Sequence, residues 1–174
     1  MSRAFVKELD GSEVPDDLPE RPQSPHPNYV TPAGLAHLRA ERAALLRRKG
    51  ELADTQGDLA RQEELKHVER DLRYVDGRIE RAIPIDPAGQ PAGEVAFGAV
   101  VEVRDESGTP LRFAIVGEDE ADAAQGKVSW VSPLAKALLG ARVGDSVTWR
   151  RPAGDRELEV VSIRYSAKER KDRR

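Results

Sequence analysis

Few side chains in this 174-residue chain are suited to chemistry. Cysteine is absent, which excludes thiolate nucleophiles, thiolate zinc sites and disulfides. His26, His37 and His67 are scattered, with no ligand spacing between them. What remains is charge, in three places. The acidic run Glu118, Asp119, Glu120 and Asp122 reads as a solvated loop, with a cation site as the lesser alternative. Arg47, Arg48 and Lys49, joined by Arg70 and Arg73, form the main basic cluster. Such cations suit phosphate contact, but they also serve as the solvated flanks of a helix pair. The third place is TQGDLARQEEL, residues 55–65, where Gly57 stands beside Asp58. Glycine tolerates positive φ and an aspartate side chain accepts from exposed N–H groups, so this pair alone marks a turn followed by a helix cap.

The flanking segments say what that turn connects. Thr31 can cap a helix that has Pro32 at its first position, with Val30 and Leu35 spaced for a hydrophobic staple. Leu38, Leu45, Leu52 and Leu59 then recur every seven residues, but the alternate seam positions hold Leu35, Arg42, Lys49 and Gln56. In the second segment Leu65, Val68, Leu72, Val75, Ile79 and Ala82 alternate at spacings of three and four. Folding one segment back on the other sets Leu38 opposite Ile79, Leu45 opposite Leu72 and Leu52 opposite Leu65. This register favours an antiparallel hairpin within one chain over a parallel zipper, which would stack the Arg and Lys seam positions on copies of themselves. The arms, 32–55 and 59–82, would each span about 36 Å, with TQGDLARQEEL at the far end.

Around the hairpin the pattern changes. Residues 1–30, with Pro19, Pro22, Pro25 and Pro27, read as an irregular extension. The hairpin occupies 31–83, and IPIDPAGQPAGE leads to a linker over 84–94. From 95 to 166 the period is two. VAFGAVVEV and LRFAIVG read as a hairpin, KVSWV as a strand, SPLAKALLG as a short helix, and DSVTWR with RELEVVSIRY as a second hairpin. The expectation is an α+β chain, the helical hairpin followed by an antiparallel sheet of about five strands, ending in a charged tail over 167–174. A net charge of −3 argues against binding nucleic acid through bulk charge. The N-terminus has no apolar core of signal-peptide length and no run could span a bilayer, so a cytoplasmic protein is expected.

Five passages of the second half, VAFGAVVEV, IVGEDEAD, SPLAKALLG, VGDSV and PAGDRELEVVSIRY, resemble in order and approximate spacing the C-terminal domain of GreA/GreB transcription elongation factors. With the hairpin, the resemblance covers residues 29–165. It implies an FKBP-like C-terminal domain docked on bacterial RNA polymerase at the rim of the secondary channel, with the hairpin inserted toward the active centre. There two acidic tip residues help hold a second magnesium ion, and the polymerase, not the factor, hydrolyses the 3′ part of backtracked RNA. Ser132, Pro133, Leu134 and Lys136 fall where the family presents its polymerase-binding loop. Arg47, Arg48, Lys49, Arg70 and Arg73 would face the nascent RNA 3′ end or the channel wall.

The family's tip motif resembles G-D-L-K-E-N-A-E-Y and lies without a gap on this chain from Gly57. Asp58 takes the first carboxylate's place, but Arg61 stands at the second, replacing a ligand by a permanent cation. Asp54, Glu63 and Glu64 are the nearest other acids. The arms also look about one heptad shorter than in typical Gre factors, roughly 10 Å of reach. The resemblance therefore implies a monomeric polymerase regulator with weak or absent stimulation of cleavage. It would bind no cofactor alone and would share magnesium only with the polymerase. An interaction protein resembling Rnk, without cleavage activity, stays open beside it. A peptidyl-prolyl isomerase is the third reading, for which Phe97, Phe113, Trp130, Trp149 and Tyr165 are few and out of pattern.

Overall fold

The computed structural model describes residues 18–53 and 58–165; Asp54, Gly57, residues 1–17 and the tail 167–174 lie outside the described residues. A first strand β1 (Asn28–Val30) leads into α1 (Pro32–Leu52), which is followed by α2 (Leu59–Glu80) and β2 (Ala82–Pro84). Thr31 caps α1 as its sequence suggests: its Oγ1 accepts from the Gly34 N–H at 3.0 Å and Pro32 opens the helix.

The two helices form the expected antiparallel pair. Leu52, Val68 and Leu72 make a buried cluster flanked by Leu45 and Leu65. Ion pairs cross the seam at Arg42–Asp76 (2.6 Å), Arg48–Glu64 (2.7 Å) and Lys49–Glu69 (2.8 Å). These pairs are exposed and each contributes roughly 0–1 kcal/mol, so the apolar seam does most to hold the arms. The polar seam positions of α1 are used rather than wasted, since Arg42 and Lys49 reach outward to acids on α2.

The base of the hairpin differs from the expectation at both ends. Strand β1 lies inside the segment expected to be irregular, and β2 lies where the second helix was expected to run into a linker. They pair in parallel, Asn28 with Ala82, Tyr29 with Ile83 and Val30 with Pro84. Parallel strands need a long crossover connection, and the helical hairpin is that connection. A three-residue pairing made by distant segments leaves no periodicity to read.

The second module is a five-stranded sheet in the order β5-β4-β3-β7-β6, formed by β3 (Ala99–Asp105), β4 (Pro110–Val116), β5 (Lys127–Ser129), β6 (Ser146–Trp149) and β7 (Arg156–Tyr165). It is not wholly antiparallel, because β5 runs parallel to β4 at one edge. Short 3-10 turns at Glu118–Glu120 and Ala123–Gln125 carry the chain back before β5 begins, which reverses the direction expected of a plain hairpin. Strand β3 also starts later than its apolar run, at Ala99, because Gly98 (φ +85) turns the chain just before it. The helix α3 (Pro133–Leu138) covers one face, and Leu134 and Leu138 pack into a core with Val101, Ile115 and Leu158.

The β3–β4 turn is held by Asp105. Its carboxylate accepts from Ser107 Oγ (2.6 Å), Ser107 N–H (3.0 Å) and Thr109 N–H (2.8 Å), and pairs with Arg156. The Ser107 hydroxyl above all, then the Thr109 N–H and Arg156, hold its pKa down to about 2 against the opposing effect of burial. An acid with a lowered folded pKa adds stability that is present above its unfolded value of about 4 and lost as pH falls toward 2. Urea midpoints measured between pH 5 and 2.5 should therefore fall more steeply for wild type than for Asp105→Asn, and the gap between the two should narrow as pH drops.

Candidate functional site

The hairpin tip shows what Asp58 and Arg61 do locally. Asp58 is the N-cap of α2, with Oδ1 accepting from the Arg61 N–H at 3.2 Å. The Arg61 side chain turns the other way, and its Nη2 donates to the Glu51 carbonyl at 2.7 Å, near the end of α1. A carboxylate thus sits at a helix N-terminus and a guanidinium at a helix C-terminus, each the favourable sign for the backbone dipole there. Arg61 ties the end of one arm to the start of the other.

Two of the other acids near the tip face cations of the hairpin itself. Glu64 pairs across the seam with Arg48, and Glu63 faces Lys66 and His67, both at 3.7 Å. Among the described residues no group of three or more histidines or acids is placed to hold a metal ion. One capping carboxylate beside a guanidinium is a poor donor set for magnesium, which wants several hard oxygens and is repelled by a fixed cation. The tip residues described do not fit the ion that the resemblance implies.

The basic cluster is largely neutralised within the chain. Arg48 bonds Glu51 and Glu64, Lys49 pairs with Glu69, Arg70 with Asp71, and Arg73 with Glu20. Hydrogen bonds to those two glutamates raise the pKa of Arg48 further. Arg47 is exposed on the outer side of α1. The reading of these residues as solvated helix flanks therefore gains over a phosphate-binding face.

The loop before α3 divides in two. Ser132 caps α3 through Oγ to the Ala135 N–H (3.2 Å), while Pro133 and Lys136 stand on the surface. Leu134 is 4% exposed and belongs to the sheet's core, so it has no face to offer a partner.

The largest surprise is the acidic run, which is not a free loop but the joint between the two modules. Arg78, near the end of α2, is 1% exposed. Its Nε donates to Asp119 Oδ2 at 2.7 Å and its Nη2 to Asn28 Oδ1 at 2.5 Å, with Glu118 Oε2 at 3.7 Å. Asn28 returns a bond from Nδ2 to the Arg78 carbonyl at 2.7 Å. Glu120 reaches the start of α1, accepting from the Thr31 N–H (3.0 Å) and hydroxyl and from the Gly117 N–H (3.2 Å). Gly117 must stay small, because a Cβ there would meet the Tyr29 carbonyl oxygen at 2.5 Å. The Tyr74 hydroxyl bonds Asp119 at 3.4 Å, and burial first, then that carboxylate, raise its pKa. Asp122 stands apart, capping its own turn through the Ala124 and Gln125 N–H groups. In the sequence the run announces its charge but not its partner, since Arg78 sits off the apolar seam like any solvated helix residue.

Comparison with known proteins places the chain. A family model described as "Transcription elongation factor, GreA/GreB, C-term" matches residues 90–165. A transcription elongation factor GreA from Alkalilimnicola ehrlichii is 45% identical over 122 residues, which is 69% of this chain and 77% of that protein. A GreB from Neisseria meningitidis serogroup B is 34% identical over 153 residues, covering 79% of this chain and 94% of its own length. Among solved structures, GreA factor homolog 1 of Thermus thermophilus is 30% identical over 80% of this chain and 99% of that one, with a TM-score of 0.39. The matched C-terminal segment, together with relatives 34–45% identical over more than two thirds of both chains, shows that the chain belongs to the GreA/GreB family of transcription elongation factors.

Proposed function

We propose that this protein binds bacterial RNA polymerase at the rim of the secondary channel, inserts its hairpin toward the active centre, and stimulates transcript cleavage weakly or not at all. The protein is a cofactor of the polymerase and performs no hydrolysis itself. The observation that carries the reading is at the tip, where Arg61 holds the Glu51 carbonyl and Asp58 is occupied as a helix cap. A tip built this way supplies one carboxylate and one cation to the channel instead of two carboxylates. The helical arms support the same reading: 21 and 22 residues correspond to about 32–33 Å at helical rise, short for a probe that must reach chemistry.

The sheet module, which we take as FKBP-like in the manner of the family, would dock through Pro133 and Lys136, with Ser132 holding the loop in shape. An isomerase reading gains nothing from the aromatic residues. Phe97 and Trp130 pack against Tyr29 (6.0 and 4.9 Å), Phe113 packs against Trp149 (6.2 Å), and Tyr165 bonds the Ala96 N–H. Phe113, Trp130, Trp149 and Tyr165 are spent on packing against the sheet's core.

Binding of labelled protein to core polymerase tests the proposal. Pro133→Asp and Lys136→Glu should each weaken affinity by about tenfold or more, roughly the cost of losing an interface anchor. Binding that persists when the channel rim is blocked would overturn it.

A further inference from the structure

We infer that residues 20–26, in the N-terminal extension, are a brace that sets the direction of the hairpin relative to the sheet module. This rests on the reading of the hairpin as the inserted element. The segment lies outside the helices and strands, yet its side chains tie both modules. On α2, Glu20 bonds Arg73 (2.8 Å), Arg21 pairs with Asp71 (3.3 Å) and stacks 3.8 Å over the Tyr74 ring. Gln23 donates to the Tyr74 carbonyl at 3.0 Å and accepts from Arg81. On the sheet side, Ser24 Oγ donates to Glu118 Oε1 at 3.0 Å, and the His26 ring meets Trp130 edge-on at 6.1 Å.

The brace adds ties farther along α2 to a joint that is otherwise held at its base. The aromatic contact of Tyr29 on Phe97 and Trp130 and the Arg78 cluster all lie at the base of the hairpin. Beside the brace, residues 22–26, Tyr74, Arg78, Glu118, Asp119 and Val131 line an open surface groove. Among the described residues the buried Arg78 Nη1 and Glu118 Oε2 have no hydrogen-bond partner, so the polar network at the joint is not fully satisfied. The brace grips α2 at Asp71 and Tyr74, up to seven positions before Arg78, which gives it a lever of about 10 Å at helical rise. A swing of about 10° at the base would carry Gly50, roughly 27 Å along α1, through about 5 Å.

The chain has no cysteine, so spin labels can be placed on Gly50→Cys, where a Cβ meets nothing within 4 Å, and on Asp155→Cys, exposed in the β6–β7 turn. Electron–electron double resonance on the full chain should give a narrow distance distribution. The brace variant Arg21→Ala/Gln23→Ala/Ser24→Ala should broaden or shift it by about 5 Å, while Arg42→Ala, which cuts a pair within the hairpin, should not. Arg21→Lys with Ser24→Thr, which keep the charge and the hydroxyl, should restore the narrow distribution. Far-UV circular dichroism should stay unchanged because these side chains lie outside the helices and strands, and Ser24→Ala alone, cutting the tie to Glu118 and the local bond from the His26 N–H, should give a partial broadening. The brace variant should also lose polymerase affinity about tenfold, read against the cysteine-labelled parent. A distribution that stays narrow in the brace variant overturns the inference. The distance measurement needs no polymerase, so failure of the parent to bind polymerase would remove the proposed function and leave the brace standing.

Discussion

Arg78→Ala should lower the thermal midpoint by on the order of 10 °C. Removing one member of a buried charge pair leaves its partners desolvated and unmatched, typically at about 3–5 kcal/mol, and a chain of this size loses roughly 2–4 °C per kcal/mol. Arg78 is 1% exposed and its loss would strand Asp119 Oδ2 and Asn28 Oδ1 together. Arg78→Lys should recover only part of the loss, because a single ammonium cannot bond both partners in the fixed fork of a guanidinium. Asp119→Asn should cost less than either, since a carboxamide oxygen can still accept from Nε. Melting curves by circular dichroism measure all three, and a drop of under 2 °C for Arg78→Ala would mean that the joint holds without its arginine. Net gain from such a cluster over an apolar one is small, so its value lies in selectivity. This register brings Arg78 onto Asn28 and Asp119, with Glu118 Oε2 at 3.7 Å.

On a stalled, backtracked elongation complex, the wild-type protein should accelerate transcript cleavage by less than about tenfold, a barrier change under about 1.4 kcal/mol. Asp58→Ala should make little further difference, because the aspartate caps α2 and Arg61 stands where the motif has its second acid. Arg61→Glu places an acid where the family motif has one, yet it should not restore cleavage. It removes the bond to the Glu51 carbonyl and sets a carboxylate against the negative end of α1, so the tip gains a ligand and loses its frame. Strong cleavage by wild type that disappears in Asp58→Ala would sink the reading of the tip. Strong cleavage by Arg61→Glu would show that the missing acid alone was limiting and that the Arg61 tie to α1 is dispensable.

Much of the architecture was legible before any coordinates. The leucine row of α1 and the alternating row of α2 predicted their own pairing, and Leu52, Leu65 and Leu72 meet as the register requires. Thr31 and Ser132 declared the starts of their helices because capping is a local matter between a side chain and the next turn. Strand β7 coincides with the alternating run RELEVVSIRY that follows the turn. The errors fall where pairing is not local. The β1–β2 ladder joins residues on opposite sides of the hairpin, and β5 is parallel to β4 only because two short turns intervene.

The candidate site divides along the same line. Residue types alone placed Asp58 at a turn and set a cation, Arg61, where the motif resemblance calls for an acid, since charge and capping tendency belong to the residue itself. Tertiary structure alone decided that Arg61 grips the other arm and that Arg48, Lys49 and Arg73 are already paired. It alone turned Glu118, Asp119 and Glu120 from a solvated loop into the joint that holds the hairpin to the sheet. The physical reason is that a sequence states which charges exist, whereas the cost of burying a charge is met only by a specific partner brought from elsewhere in the chain.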